Sequence, residues 1–404
     1  MVNEILKTMK TIKTMKTKFL LLTLILFVIG CVSNEKKTAQ SNDGAIVIDV
    51  NSALKGESLY LDDMVESVQL IPLETTEASI LGDATDCIVT DKNIFVTDIY
   101  ESGQGLTVFD RNGKFVKRFS RGSGPGEFTN LGNVMFYGGN LYCNALFKIM
   151  KFSADGEFID SKGIDGIYML IEKFGDGFVM TQSERMNADK KFKMIKLDSN
   201  LVNVAELSLD PIPFPINGGL SVIEGGDCLI YRFADNDIYA CCDDGFKVKY
   251  RLDLSEFEYK IPFEKYQDLT PDSPGMAIVA CLQEIEDGKY IFDGSCMQCE
   301  DYLMFNIMSK NSSKSVYYNK NTGRTWIRDY SRTTTPFSVI GRIRPANVTT
   351  QKNTFCGMIT PDYLEECWKN NPHNLFSDKD IEILKNIKED DNPVIVVYKL
   401  KDDL

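Results

Sequence analysis

Short apolar runs alternate with polar turns along most of this chain. "CIVTDKNIFVTD" (Cys87–Asp98), "LTVFDRNGKFVKRFS" (Leu106–Ser120), "NVMFYGGNLYCN" (Asn133–Asn144) and "IMKFSADGEFIDSKG" (Ile149–Gly163) each hold two apolar stretches around a tight turn. Asn-Gly, Gly-Gly and Asp-Gly stand mostly where a hairpin wants positive φ, so each segment predicts a pair of antiparallel strands.

The hairpins recur. A polar turn residue follows an apolar strand at Asp110, Ser153, Asp198, Asp243 and Asn319, with spacings of 43, 45, 45 and 76 residues. A last strand, "NPVIVVYKL" (Asn392–Leu400), passes Lys399 80 residues beyond Asn319. A period near 45 with four strands per unit predicts a β-propeller, and the two long intervals hold insertions. The expected fold class is therefore all-β: one six-bladed β-propeller over residues 60–404. The last unit lacks a partner strand, while "VESVQLIPLE" (Val65–Glu74) stands alone before the first. Pairing 65–74 with 392–400 closes the ring and covers both edges. A helical pattern over Thr360–Asp391, with starts near Asp362, Ser377 and Asp378, predicts a small helical insertion in the last blade.

The N-terminus reads as an address. Lys7, Lys10, Lys13, Lys16 and Lys18 precede "FLLLTLILFVIGC" (Phe19–Cys31). Its apolar part, Phe19 to Gly30, is short for a bilayer span and has signal-peptide proportions. Residues 1–30 are expected to be a signal peptide, with Met15 the more typical start. The polar, aromatic-free stretch after Cys31 predicts a flexible tether over residues 31–59.

Charge narrows the partners. The net charge is −13 even though residues 1–30 hold five lysines and one Glu, so the body is more acidic still. Nucleic acid and an anionic membrane surface both need clustered Lys and Arg, and this balance argues against them.

"VIGC" (Val28–Cys31) resembles a bacterial lipobox, which implies diacylation of Cys31 and a stable lipid anchor. "GSGPGEF" (Gly122–Phe128) and the residues up to Ile159 resemble an NHL repeat, although Leu131-Gly132 replaces its usual proline. With "DNPVIVVYKLK" (Asp391–Lys401), these features make the chain similar to the six-bladed β-propeller lipoproteins of Bacteroidetes. The resemblance implies an envelope location, in the outer membrane, with either leaflet open. The glycine-rich stretch has no Lys-Ser/Thr pair and no helix pattern behind it, so it does not read as a phosphate loop. It reads as a structural corner: Gly122, Gly124 and Gly126 permit unusual backbone, Pro125 fixes φ, and Phe128 packs between blades.

Catalytic chemistry is sparse. His373 is the only histidine, which excludes a His–His metal pair. "CMQC" holds Cys296 and Cys299, a lone C-x-x-C whose expected states are a local disulfide, a redox pair or two free thiols. Polar residues end the second strand of each inner hairpin: Asp98, Asn144, Gln182, Arg232 and Asp293. Equivalent positions in successive blades circle a propeller's central channel, so these five form the candidate ligand-binding set. Tyr100, Tyr137, Tyr142, Tyr231, Phe233 and Trp326 are candidates to stack on sugars.

The expected function is a membrane-anchored binding or scaffold module for a glycan, a peptide or an envelope protein. The alternative is a Ca²⁺-dependent enzyme of lactonase or lyase type, with Asp98, Asn144 and Asp293 as oxygen ligands.

Overall fold

The computed structural model describes residues 41–56, 58–100, 103–165, 170–182, 190–212, 219–269, 274–328, 344–346, 351–363, 376–402 and 404. The signal peptide expected over residues 1–30, Cys31, Cys367 and His373 lie outside the described residues.

Six sheets form the body, in the order of a six-bladed propeller. From the channel outward, blade 1 is Asp83–Val89, Asn93–Tyr100, Gly103–Asp110 and Phe115–Arg118. Blade 2 is Val134–Tyr137, Asn140–Asn144, Lys148–Ser153 and Phe158–Gly163. Blade 3 is Leu170–Phe174, Gly177–Gln182, Phe192–Leu197 and Asn203–Leu209. Blade 4 is Gly219–Val222, Cys228–Tyr231, Asp237–Cys242 and Gly245–Asp253. Blade 5 is Ile291–Gln298, Tyr302–Met308, Ser313–Asn319 and Thr325–Arg328. Blade 6 takes Arg344–Pro345, Thr354–Ile359 and Val394–Leu400 from the C-terminal end and Val65–Pro72 from the N-terminal end.

At four of the five repeat markers, Asp110, Ser153, Asp198 and Asn319, the polar side chain has a structural duty. Asp110 Oδ1 accepts the N–H groups of Asn112 and Lys114 at 2.8 and 3.0 Å. Asp198 does the same for Asn200 and Val202 at 2.8 and 2.9 Å, and Ser153 Oγ for Asp155 and Glu157. Each side chain imitates a turn carbonyl and closes the outer hairpin. The sequence period is the period of this cap.

Side chains alternate across a strand, so both faces of every blade look at a neighbour. The core is accordingly divided into seams. Phe95, Leu106 and Phe119 of blade 1 pack on Phe128, Leu141 and Phe152 of blade 2. Cys356, Ile395 and Val397 of blade 6 pack on Cys87, Ile94 and Phe109 of blade 1, which completes the ring.

The tether expected over residues 31–59 stops short, because its second half belongs to the propeller. β1 (Ile46–Asp49) lies parallel to the outer strand of blade 4, and β2 (Ser58–Leu59) parallel to that of blade 5. β3 (Val65–Pro72) then pairs antiparallel with Val394–Leu400. Helices α1 (Val50–Lys55) and α2 (Leu61–Met64) join the three strands. Asp49 caps α1 by accepting from Ser52 N–H at 2.8 Å. The reason for the ordering is burial: Ile48 and Val50 are 0% exposed, in the seam core of blades 4 and 5.

Two helices interrupt the sheets. α3 (Pro274–Glu284) lies between blades 4 and 5, and packs Cys281 with Tyr266, Ile285 and Phe233. α4 (Asp378–Asn386) lies between the second and third strands of blade 6. It starts at Ser377, whose hydroxyl and backbone exchange a capping box with Asp380.

Candidate functional site

A cavity of about 840 Å³ occupies the channel where the six innermost strands converge. Each blade contributes a polar side chain to its wall: Asp86, Asn133, Glu172, Ser221, Ser295 and Arg344, in blade order. That volume is within the range of small-ligand pockets.

The belt is linked around the ring. Arg344 Nη1 donates to Asp86 Oδ2 at 3.1 Å, an ion pair that joins blade 6 to blade 1. Burial pushes the Arg344 pKa down, but Asp86 first, then Cys356, Glu172 and Cys87, draw it above its ordinary value. The other oxygen of Asp86 accepts from Cys87 N–H at 2.8 Å. Asn133 Nδ2 donates to Ile171 O at 2.6 Å and reaches Glu172 Oε1 at 3.4 Å. In blade 5, Ser315 donates to Asn306 and Asn306 to Ser295, at 2.6 and 2.9 Å. These orientations are held by backbone and by neighbouring side chains, so the wall is organised before any ligand arrives. It offers carboxylates, a guanidinium, amides and hydroxyls together, and so can satisfy both donors and acceptors.

None of the five residues selected from the sequence lines this cavity. Asp98 is wholly buried; its Oδ2 accepts from Gly82 N–H at 2.9 Å. Its Oδ1 lies against Gly105, where a Cβ would stand 2.5 Å from it. Asn144 is buried against Gly132, with Nδ2 3.4 Å from Asn133 Oδ1. Gln182 ends its strand half-buried, paired with Lys193. Arg232 is held by Asp235 Oδ2 at 2.8 Å and Asp210 O at 2.7 Å, with its guanidinium over Phe192. Asp293 belongs to an innermost strand, not a second one. Its carboxylate accepts from Ser295, and burial raises its pKa, partly offset by Ser295 and Asn306.

Four of the five stand at or near the ends of second strands, one strand away from the wall, and Asp293 stands on an innermost strand without lining it. In a propeller the wall comes from the strands nearest the axis, whose polar members sit inside apolar runs rather than at strand ends. "TDCIV", "LIEKF" and "LSVIE" carry that signal at Asp86, Glu172 and Ser221.

The calcium reading finds no support in this geometry. Among the described residues, no three His, Cys, Asp or Glu side chains gather as a metal-holding group. The C-x-x-C pair is separated by the pleat. Cys296 joins the core of blades 4 and 5, whereas Cys299 joins that of blades 5 and 6. Residues three apart on a strand face opposite ways, so no local disulfide forms and both thiols are free. Burial pushes both thiols up, Cys299 to about 12, which makes them poor nucleophiles.

The glycine-rich stretch is a corner between blades 1 and 2. Gly122 N–H donates to Phe128 O at 3.1 Å, and Gly124 N–H to Glu127 Oε2 at 2.9 Å. Phe128 is 0% exposed and meets Phe119 with ring centroids 6.4 Å apart. Pro125 and Gly126, the latter at φ +79°, complete the bend. Of the aromatic candidates, Tyr142, Tyr231, Phe233 and Trp326 are buried in seams. Tyr137 is half-buried and accepts from Gly175 N–H at 3.1 Å.

The profile of the family described as "Domain of unknown function (DUF4934)" matches residues 45–399, and the chain belongs to that family. No functionally curated protein matches it. A Bacteroides fragilis NCTC 9343 protein described as exported has a similar crystal structure, with a TM-score of 0.66 at 16% identity. That similarity covers 88% of this chain and 99% of the other. A Bacteroides vulgatus ATCC 8482 member of the DUF4221 family is similar at a TM-score of 0.43 and 9% identity, over 83% and 97% of the two chains.

Proposed function

We propose that this member of a family without assigned activity is an exported, lipid-anchored binding module that takes a small polar ligand into its central channel. The supporting observation is the polar belt: every blade supplies at least one polar side chain to a single cavity of about 840 Å³. A ring with no role beyond scaffolding gains nothing from a mixed-charge wall, because buried polar groups carry a desolvation cost. The Arg344–Asp86 pair gives the site a direction, with Glu172 across from it. A glycan end or peptide end, which carries hydroxyls, amides and a charge, matches that wall. The lipobox-like "VIGC" supports attachment through Cys31, and the crystal-structure neighbour described as exported agrees with an envelope setting.

Calorimetric titration of the purified chain against oligosaccharide and short-peptide panels tests the reading. Saturable binding that Arg344→Ala abolishes supports it. Binding that survives Arg344→Ala and Glu172→Gln moves the ligand out of the channel. Membrane fractionation tests the anchor: Cys31→Ala should release the chain from the membrane pellet.

A further inference from the structure

A second cavity, of about 210 Å³, lies at the seam of blades 2 and 3; it holds none of the six belt residues but shares Lys173 with the channel wall. Strand register builds its wall. In blade 2, Tyr142, Lys151 and Asp160 are directly opposed across three successive strands. Ile149 is opposed to Lys162 in the same sheet. Ile149 and Lys151 are two residues apart, so both rows share a face. Tyr142 and Ile149 pack with Phe178, which turns that face toward blade 3. From blade 3, Lys173 enters opposite Phe178, and Asp176, Ser199 and Leu201 complete the wall.

Three ammonium groups therefore reach one small space. The Nζ atoms of Lys151 and Lys173 stand 5.9 and 5.8 Å from the centroid of the same Tyr142 ring. Lys162 donates to Ser199 O at 2.6 Å, and Lys173 to Gly177 O at 3.0 Å. Those partners are backbone carbonyls. Among the described residues, none of the three lysines makes an ion pair, and Lys151 has only the aromatic ring. Asp160 shares the wall, but its Oδ1 accepts from Ser161 N–H at 2.7 Å. Burial, with Lys151 and Lys162 nearby, lowers the Lys173 pKa, and Asp176 opposes that shift. Asp160 and Asp176 share the wall, but the three lysines outnumber them and none is ion-paired among the described residues.

We infer that this seam cavity binds a tetrahedral oxyanion group, phosphate or sulfate, through Lys151, Lys162 and Lys173. The group makes charge-assisted hydrogen bonds to the ammoniums. Lys151 and Lys162 belong to this cavity and not to the channel, whereas Lys173 borders both.

The test is calorimetric titration of the full chain, in detergent, with inorganic phosphate, inorganic sulfate, glucose 6-phosphate and glucose 6-sulfate. Chloride at matched ionic strength is the blank, because these anions also act non-specifically on folded proteins. Lys151→Gln and Lys162→Gln, half-buried and exposed positions, each weaken binding by about tenfold, the worth of one charge-assisted contact. Arg344→Ala leaves it unchanged. Inorganic ions binding as well as the esters identify a free-ion site, and preference for the esters identifies a carried group. No saturable signal from any probe, equal affinity in the two folded lysine variants, or loss in Arg344→Ala overturns the inference.

Discussion

The ring has two halves that share a blade plan and differ at the rim. A lace of three N-terminal strands runs along blades 4 to 6: in blades 4 and 5 the fourth strand is covered by β1 and β2, and in blade 6 β3 itself supplies the fourth strand. In blades 1 to 3 the fourth strand is the last one in its sheet. The consequence is visible in single residues. Ile48, Val50 and Met64 of the lace are 0% exposed, whereas Ile159, Val202 and Val204 on the open rim are 50, 57 and 55% exposed. An open edge invites pairing with another chain, and charge is the usual guard. Lys117 and Arg118, Asp160 and Lys162, and Glu206 stand on those three outer strands. Blades 4 and 5 cover their fourth strands, whereas blades 1 to 3 charge theirs.

The largest contrast is expected from one substitution made on both sides. Val50→Asp places a carboxylate in a dry seam and should cost about 3–5 kcal/mol. Val204→Asp should change stability by no more than about 0.5 kcal/mol. Urea unfolding midpoints measure both, and equal losses would dissolve the distinction between the halves.

Next comes the joint where the lace meets blade 1. Gly113 has φ +80°, and a Cβ there would stand 1.9 Å from Pro72 O of β3. Gly113→Ala should cost about 2–3 kcal/mol, because strain and a backbone clash add. Gly138 has φ +57° in open space, so Gly138→Ala should cost only about 1 kcal/mol. The same denaturation assay separates them.

Arg344→Ala strikes the seam between the halves. It strands Asp86 without its guanidinium, at a cost of about 1–2 kcal/mol where channel water can partly replace it. Adding Asp86→Ala should restore much of that loss, and a double-variant cycle by thermal unfolding reads the coupling.

The smallest effect at neutral pH concerns the thiols of the laced half and its helical insertion. Burial pushes Cys241 and Cys281 to about 11 and Cys299 to about 12. Unfolded thiols ionise near ~8.5, so the folded state holds these protons more tightly. Their contribution is fully present below that pH and is lost as pH rises through the folded values. Melting temperature should hold near neutrality and fall between about pH 9 and 11. Cys241→Ala with Cys281→Ala should flatten that slope.

Legibility followed how local each cause is. Asp110, Ser153, Asp198 and Asn319 could be read because each caps a turn made by its own next few residues. The six-bladed fold follows from that period. β1 was missed although Ile46, Val47 and Ile48 favour a strand, because its partner, Tyr250–Asp253, lies about 200 residues away and no hairpin turn marks the pair. Asp293 was misplaced because Asp-Gly-Ser looks like a turn. Gly294, at φ +75°, instead bends a continuous innermost strand whose register breaks between Phe292 and Cys296. The channel belt was missed for a related reason. Asp86 or Glu172 inside an apolar run marks an innermost strand, but the run does not say that the side chain faces an axis. That direction exists only once six blades have assembled.

The lace also governs the order of events at birth. β3 emerges early but pairs with residues about 320 positions later, and β1 waits about 200 for its own partner. Contacts of such long sequence separation form slowly, since loop closure must precede any gain from pairing. The first segment of the body to be synthesised is therefore the last to be secured. Until the final strand arrives, the nascent chain carries an apolar β3 with no mate, and a helper that shields this segment would set the yield of native protein.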